Sequence, residues 1–331
     1  MAMNFCFEMI VGLNLLFLPL TFGLPCARIS FRSTVNSLRQ PNSLFGGRAN
    51  SCTSRHGHGE DGSSAPENEA FALSSNSAIA FVKERPISRA DAESIVDDLL
   101  FPAREHARRL GLGRDAQNLD PGTMVGANDP RMAFTYGEFP LQSCDSLLDI
   151  AIRMQKEPSK GRKKLVDLGS GAGRLVLYLA LTRGEYDVHG IEISDILHDA
   201  AIEFLERGKD AGIFSTEPDT VSTPRKVQFH CGPANSMQDV LANADVIFAY
   251  STVWPTSKSE DSVDGFSVEL GALILGEEWS KMLAEYCRSG CAVVTTDRAL
   301  DPSYGWELVD RQDVENPEVF GSTGYIHILR K

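Results

Sequence analysis

Asp167 is followed within a few residues by Gly169, Ser170, Gly171 and Gly173, and Glu192 stands nineteen residues beyond the last of these glycines. Glycines at this spacing let the backbone turn sharply and let a ligand approach it closely. A helix opening near Arg174 aims its unpaired N–H groups at the same ligand. An acid at the position of Glu192 can accept hydrogen bonds from both hydroxyls of a ribose. A dinucleotide site needs its third glycine one step later, where Arg174 and Leu175 stand. The pattern therefore favours S-adenosylmethionine, which carries a cationic amino acid end and a ribose but no pyrophosphate. The plainer alternative is a structural turn whose glycines serve only the bend.

The elements that must position these residues can be read from the same stretch. Leu165, Val166 and Leu168 form a short apolar run, and Leu175, Val176, Leu179 and Ala180 recur at helical spacing. Residues 188–193 form a second apolar run ending at the acid. Residues 165–193 thus read as strand, glycine loop, helix, strand, which opens a parallel sheet. The chain here resembles the class I S-adenosylmethionine-dependent methyltransferases.

The chain has 331 residues and a formal net charge of −13. Residues 9–24 are apolar but broken by Pro19, too short for a membrane span of about twenty residues and closer to a signal-peptide core. No Asp or Glu occurs from residue 9 to 59, while Arg28, Arg32, Arg39, Arg48 and Arg55 lie among Ser, Asn and Gly, a transit-peptide composition. Residues 1–59 are expected to be a targeting leader, similar to the bipartite leaders of plastid proteins; a secretory or mitochondrial leader, or a disordered tail, remains open. With that leader set aside, 27 basic and 44 acidic side chains remain, a net of −17. This balance argues against nucleic acid as the main partner and suits basic proteins, peptides or amines, although solubility alone would also explain it. Of the seven cysteines, Cys144, Cys231, Cys287 and Cys291 lie beyond the leader without metal-ligand spacing, so no metal is expected.

Residues 60–84 are expected to be a disordered linker, and 85–331 the folded domain, with 85–160 as a helical cover. Ser88 is a good N-cap ahead of Ile95, Val96, Leu99 and Leu100; Pro102 should kink the helix, which should stop at Gly111 or Gly113. A long polar loop over 114–131 is expected to lie over a site. Residues 141–154 read as a helix, preceded by a tight turn of Tyr136, Gly137, Glu138 and Phe139.

A Y-G-E turn, such a helix and then V-D-L-G-S-G-x-G resembles the disruptor-of-telomeric-silencing family, the non-SET histone lysine methyltransferases. The resemblance implies that Tyr136, Gly137, Glu138 and Phe139 cap the methionine end of the cofactor, that residues 166–174 cradle it, and that Glu192 binds its ribose. Taken without the resemblance, an aromatic turn before a helix is ordinary packing.

Downstream, 195–207 should be helical, 212–224 a polar insertion, and 226–230 a strand ending at Cys231, Gly232 and Pro233. These three should lie near the adenine, because ligands of open α/β sheets bind beyond the carboxyl ends of the strands. The family's adenine-binding acid has no counterpart there. Residues 245–250 form the next strand, after which the family carries an Asn pair that lines its acceptor channel; this chain has Tyr250 and Ser251 instead. Either hydroxyl could bond an incoming amine or hydroxyl, and both are candidate catalytic residues, yet Tyr250 could equally be a half-buried strand residue. A helix over 267–288, a strand over 291–296 and a terminal pair of strands at 306–309 and 324–329 complete a doubly wound α/β sheet of seven strands. His327 should face solvent.

Three functions remain open on the sequence: a protein lysine methyltransferase, a methyltransferase of a small organellar metabolite, and a cofactor-binding scaffold without catalysis.

Overall fold

The structure is a computed structural model that describes residues 77–82, 87–117, 135–155, 161–217, 225–257, 266–268 and 270–331. The leader, most of the expected linker, the loop from 118 to 131 and the insertion from 218 to 224 lie outside the described residues.

The βαβ unit read from the sequence forms as strand β2 (Lys163–Leu168), helix α4 (Arg174–Thr182) and strand β3 (Tyr186–Glu192), with β2 and β3 parallel. It sits at the middle of a nine-stranded sheet. Alongside β3 runs β5 (Arg225–Cys231), and alongside β2 runs β6 (Val246–Ala249) followed by β9 (Ala292–Thr296), all parallel. Strand β11 (Ser322–Leu329) is antiparallel to β9, and β10 (Trp306–Val314) forms the edge beyond it. This is the doubly wound α/β order, with the glycine loop at the carboxyl edge of the central strand.

Two strands exceed the seven expected. Strand β1 (Ser77–Val82), expected in the linker, pairs antiparallel with β5, and β4 (Phe214–Ser215), within the expected polar insertion, pairs with β1 at the opposite edge. Alternation explains β1: Ala80 and Val82 are buried, while Ile79 is 40% exposed and Phe81 is half-buried.

Strand residues of both faces are buried. On one side Leu165, Val188, Phe248 and Val294 meet α3 (Leu141–Met154), α4 and α5 (Asp195–Asp210); on the other Val166, Ile247 and Val293 meet α6 (Gln238–Ala242) and α7 (Glu277–Tyr286). That two-sided cover corrects the reading of His327. It does alternate with Ile326 and Ile328, but it is fully buried, its Nε2 accepts the Leu300 N–H at 3.1 Å, and burial lowers its pKa to about 3.

The N-terminal cover starts as expected, with the Ser88 hydroxyl accepting the Asp91 N–H at the head of α1 (Arg89–Ser94). A π-helical segment (Ile95–Leu100) follows, the chain breaks at Phe101 and Pro102, and α2 (His106–Ala116) runs on through Gly111 and Gly113 rather than stopping there. A side chain at Gly113 would collide with Tyr136. The helix expected over 267–288 is shorter. A two-strand ribbon, β7 (Phe266–Ser267) and β8 (Ala272–Leu273), turns through Gly271 with φ of 58°, and α7 begins only after Gly276. A partly buried ion-pair cluster ties α3 to the end of α4, with Arg183 meeting both Asp145 and Asp149.

Candidate active site

Between β2 and α4, Gly169, Gly171 and Gly173 take φ of 80°, 53° and 83°, a region that side chains enter only under strain. The loop is pinned to the end of β3. The N–H groups of Gly169 and Ser170 both donate to the Ile191 carbonyl, and the Gly171 N–H donates to a Glu192 carboxylate oxygen at 2.7 Å. The other oxygen of Glu192 accepts the Ser194 N–H at 2.9 Å. Burial raises the Glu192 pKa, and these N–H bonds oppose that rise.

A cavity of about 620 Å³ opens over this loop, within the ordinary size of a small-molecule site. Its floor is Asp167, Gly169, Ser170 and Gly171. One wall is the segment 135–139, a second is Glu192 with Gly232 and Pro233, and the far side holds Tyr250, Trp254, Trp279 and Met282. Two residues expected at the cofactor do not line it. Gly173 caps α4 with its back to the sheet, where a Cβ would stand 2.7 Å from Phe229 and 3.0 Å from Ala201, so helix packing is what excludes a side chain. Cys231, the last residue of β5, does not reach the cavity, whereas Gly232 and Pro233 after it do.

Tyr136, Gly137, Glu138 and Phe139 form an extended strap rather than a tight turn. What holds it is a buried ion pair: Arg109, 2% exposed, binds Glu138 through Nε and also through Nη2 at 3.1 Å. The Tyr136 hydroxyl donates to the same carboxylate at 2.9 Å, and the His106 ring lies 3.3 Å from it. Burial pushes the Glu138 pKa up, but Arg109 outweighs it and holds the group below the usual carboxylate value. The strap then lies on the loop, because a Cβ on Gly171 would be 2.8 Å from the Tyr136 ring. Phe139 is buried with its ring 5.0 Å from that of Tyr250.

The two candidate acceptor residues part company. Tyr250 lines the cavity, and its hydroxyl accepts a 3.0 Å hydrogen bond from Asn316 Nδ2. Ser251 does not line it. It is fully buried, its hydroxyl donates to the Thr296 carbonyl at 2.8 Å and accepts the Thr296 N–H at 3.1 Å, so it clamps the end of β6 to β9. Arg109 and Asn316 carried no signal in the sequence, since a helical Arg and a loop Asn are ordinary. Trp254, stacked on Trp279 at 4.3 Å, did lie in the stretch after β6 where an acceptor is met.

The site fits S-adenosylmethionine. Asp167 is buried at the cavity floor, and burial, together with the charge of Glu192, raises its pKa to about 7. A ligand ammonium would supply the counter-charge. The Ser170 hydroxyl is likewise buried without a partner among the described residues. Glu192 stands where a ribose would be held, and bare glycine backbone leaves room for the ligand. Residues 129–257, which span the strap, the glycine loop, Glu192 and Tyr250, match the family described as histone methylation protein DOT1.

The protein is an S-adenosylmethionine-dependent methyltransferase with the class I fold. Solved structures similar to this methyltransferase include an RNA methyltransferase from Salinibacter ruber in complex with S-adenosyl-L-homocysteine, at 19% identity over 59% of this chain and 95% of that one, with a TM-score of 0.35. Another is a magnesium protoporphyrin IX methyltransferase from Synechocystis PCC 6803, at 13% identity over 72% and 100%, with a TM-score of 0.37. No curated protein matches the chain.

Proposed function

We propose that the methyltransferase transfers a methyl group to lysine side chains of a protein. The observation that carries this reading is the extent of the DOT1 match, 129–257, which takes in both segments that meet over the glycine loop, the strap and Tyr250. The net charge of −17 beyond residue 59 suits a basic protein as acceptor. Histone specificity is not part of the proposal, because Tyr250 and Ser251 stand where the family carries its Asn pair.

When bound, the cofactor supplies an electrophilic methyl group on a sulfonium. The protein's part is alignment. Asp167 would pair with the ammonium end of the cofactor and Glu192 with its ribose, while Tyr136 and Glu138, fixed by Arg109, would cover it. The Tyr250 hydroxyl, with one lone pair already engaged by Asn316, accepts a hydrogen bond from the acceptor amine and so turns the amine lone pair toward the methyl group. The proton lost by the amine passes to solvent. Incubation with cofactor labelled in its methyl group and an organellar extract tests the reading: label on lysine in protein is expected, and label confined to small molecules, or binding without transfer, refutes it.

We further infer that residues 1–59 direct import into an organelle, a plastid by their composition. A fluorescent fusion of this segment should be imported, and a diffuse signal would reject the assignment.

A further inference from the structure

The loop that joins β10 to β11 comes back from the edge of the sheet to the rim of the cavity, where it meets the strap and Tyr250. It is built around Asn316, which is 2% exposed. The Asn316 carbonyl accepts the N–H groups of Val319 and Gly321, and its side-chain oxygen accepts that of Glu318. Its Nδ2 donates to Tyr250 and to Ser322, and the Ser143 hydroxyl of α3 holds the preceding carbonyl of Glu315 at 2.6 Å. The loop is therefore a fixed platform.

What this platform presents is a carboxylate. One oxygen of Glu318 accepts the Glu138 N–H at 3.3 Å. The other stands 2.9 Å, and the Tyr250 ring 3.0 Å, from where a Cβ on Gly137 would be, so carboxylate, strap and Tyr250 meet at one point on the rim. Glu138 has Arg109 and His106 beside it. Glu318 has no ion pair among the described residues; partial burial and the charge of Glu138 raise its pKa, while the charges of His106 and Arg174 oppose the rise. The cofactor's own ammonium is served by Asp167 on the cavity floor, so the rim has room for a second cation.

Beyond Glu318 the loop ends in exposed apolar side chains. Val319 is 39% exposed and Phe320 fully exposed. Phe320 is one of two non-glycine residues with left-handed φ among the described residues, at 61°. The other, Asp297, is anchored by hydrogen bonds to Thr323 and Thr252, whereas Phe320 holds its strained conformation in solvent. An acceptor small enough to enter the cavity would gain nothing from an apolar tip outside it.

We propose that the loop 315–321 is the acceptor-docking element of this site: Glu318 receives the ammonium of the acceptor lysine beside Tyr250, and Phe320 contacts the acceptor protein around that lysine. The proposal rests on the lysine reading above and names the residues that select its substrate.

The test is binding of a fluorescent hexalysine peptide to the full chain saturated with S-adenosylhomocysteine, followed by anisotropy. Glu318→Gln should weaken peptide binding at least tenfold, and Phe320→Ser about threefold. The control Glu307→Gln, an exposed carboxylate elsewhere on the molecule, should leave it unchanged. Affinity for S-adenosylhomocysteine should be the same in all four proteins, which also shows that each is folded. Equal peptide binding by wild type and Glu318→Gln, or equal losses in Glu307→Gln, overturns the proposal. Weakened S-adenosylhomocysteine binding in Glu318→Gln overturns it too, since the carboxylate would then serve the cofactor. The lysine reading itself is decided separately, by whether label in the extract assay reaches protein.

Discussion

Glu192 accepts the backbone N–H of Gly171 at 2.7 Å, so the acid at the end of β3 and the glycine loop after β2 move as one unit. The carboxylate proposed to bind the ribose therefore also sets the position of the glycine loop. Glu192→Ala should weaken S-adenosylmethionine binding by about 1.5–3 kcal/mol, the range for hydrogen bonds to a charged group. Calorimetry with S-adenosylhomocysteine measures it, and an unchanged affinity would reject the role given to Glu192.

Asp167 makes cofactor binding a matter of pH. Its pKa of about 7 in the folded protein lies above the ordinary 3.8, so between about pH 4 and 7 the folded state keeps a proton that the unfolded chain has released. Stability of the cofactor-free protein should therefore fall as pH rises through that window. Asp167→Asn should flatten the fall, raising the melting temperature at pH 8, while weakening cofactor binding. A mutant with the wild-type pH profile of stability would count against this assignment.

Arg109 and Glu138 form a buried pair, and removing one partner leaves the other charge uncompensated. Arg109→Met should cost about 3–5 kcal/mol of stability, read by thermal or urea unfolding. Because the strap then loses its anchor, cofactor affinity should fall as well. A loss of stability with cofactor affinity intact would mean that the strap does not cover the cofactor.

Gly171→Ala should abolish cofactor binding even though the added group is a single methyl. The residue has φ of 53°, and its Cβ would stand 2.8 Å from the Tyr136 ring, so the loop or the strap must move. Unfolding and cofactor titration together check this, with a modest loss of stability and a complete loss of binding expected.

Ser251 and Tyr250 should separate cleanly by what they change. Ser251→Ala leaves the buried N–H of Thr296 without its acceptor and should cost about 1–3 kcal/mol of stability, with turnover per folded molecule little altered. Tyr250→Phe should do the reverse, lowering turnover while leaving the melting temperature and the cofactor affinity near wild type. Equal turnover in Tyr250→Phe and wild type would remove Tyr250 from the acceptor site.

The glycine-loop half of the candidate site was legible in the sequence because it is built from contiguous residues. Glycines, an acid and two apolar runs at fixed spacing within 165–193 leave few ways to fold other than a loop on the carboxyl edge of a parallel pair. Helix α3 was equally plain, since Leu141, Leu147, Leu148 and Ala151 mark one buried face. The remaining assignments depended on partners far along the chain, and nothing local encodes a partner. Ser251 became a clamp because Thr296, 45 residues away, lies on the next strand; Tyr250 became a site residue with Asn316, 66 residues away, on its hydroxyl. Arg109 reads as a surface helix residue until α2 packs it against Glu138, and His327 as a solvent-facing strand residue until the segment at Leu300 covers the sheet. Periodicity determines which side chains share a face; only the packing of other elements on that face decides whether the face is surface, core or site.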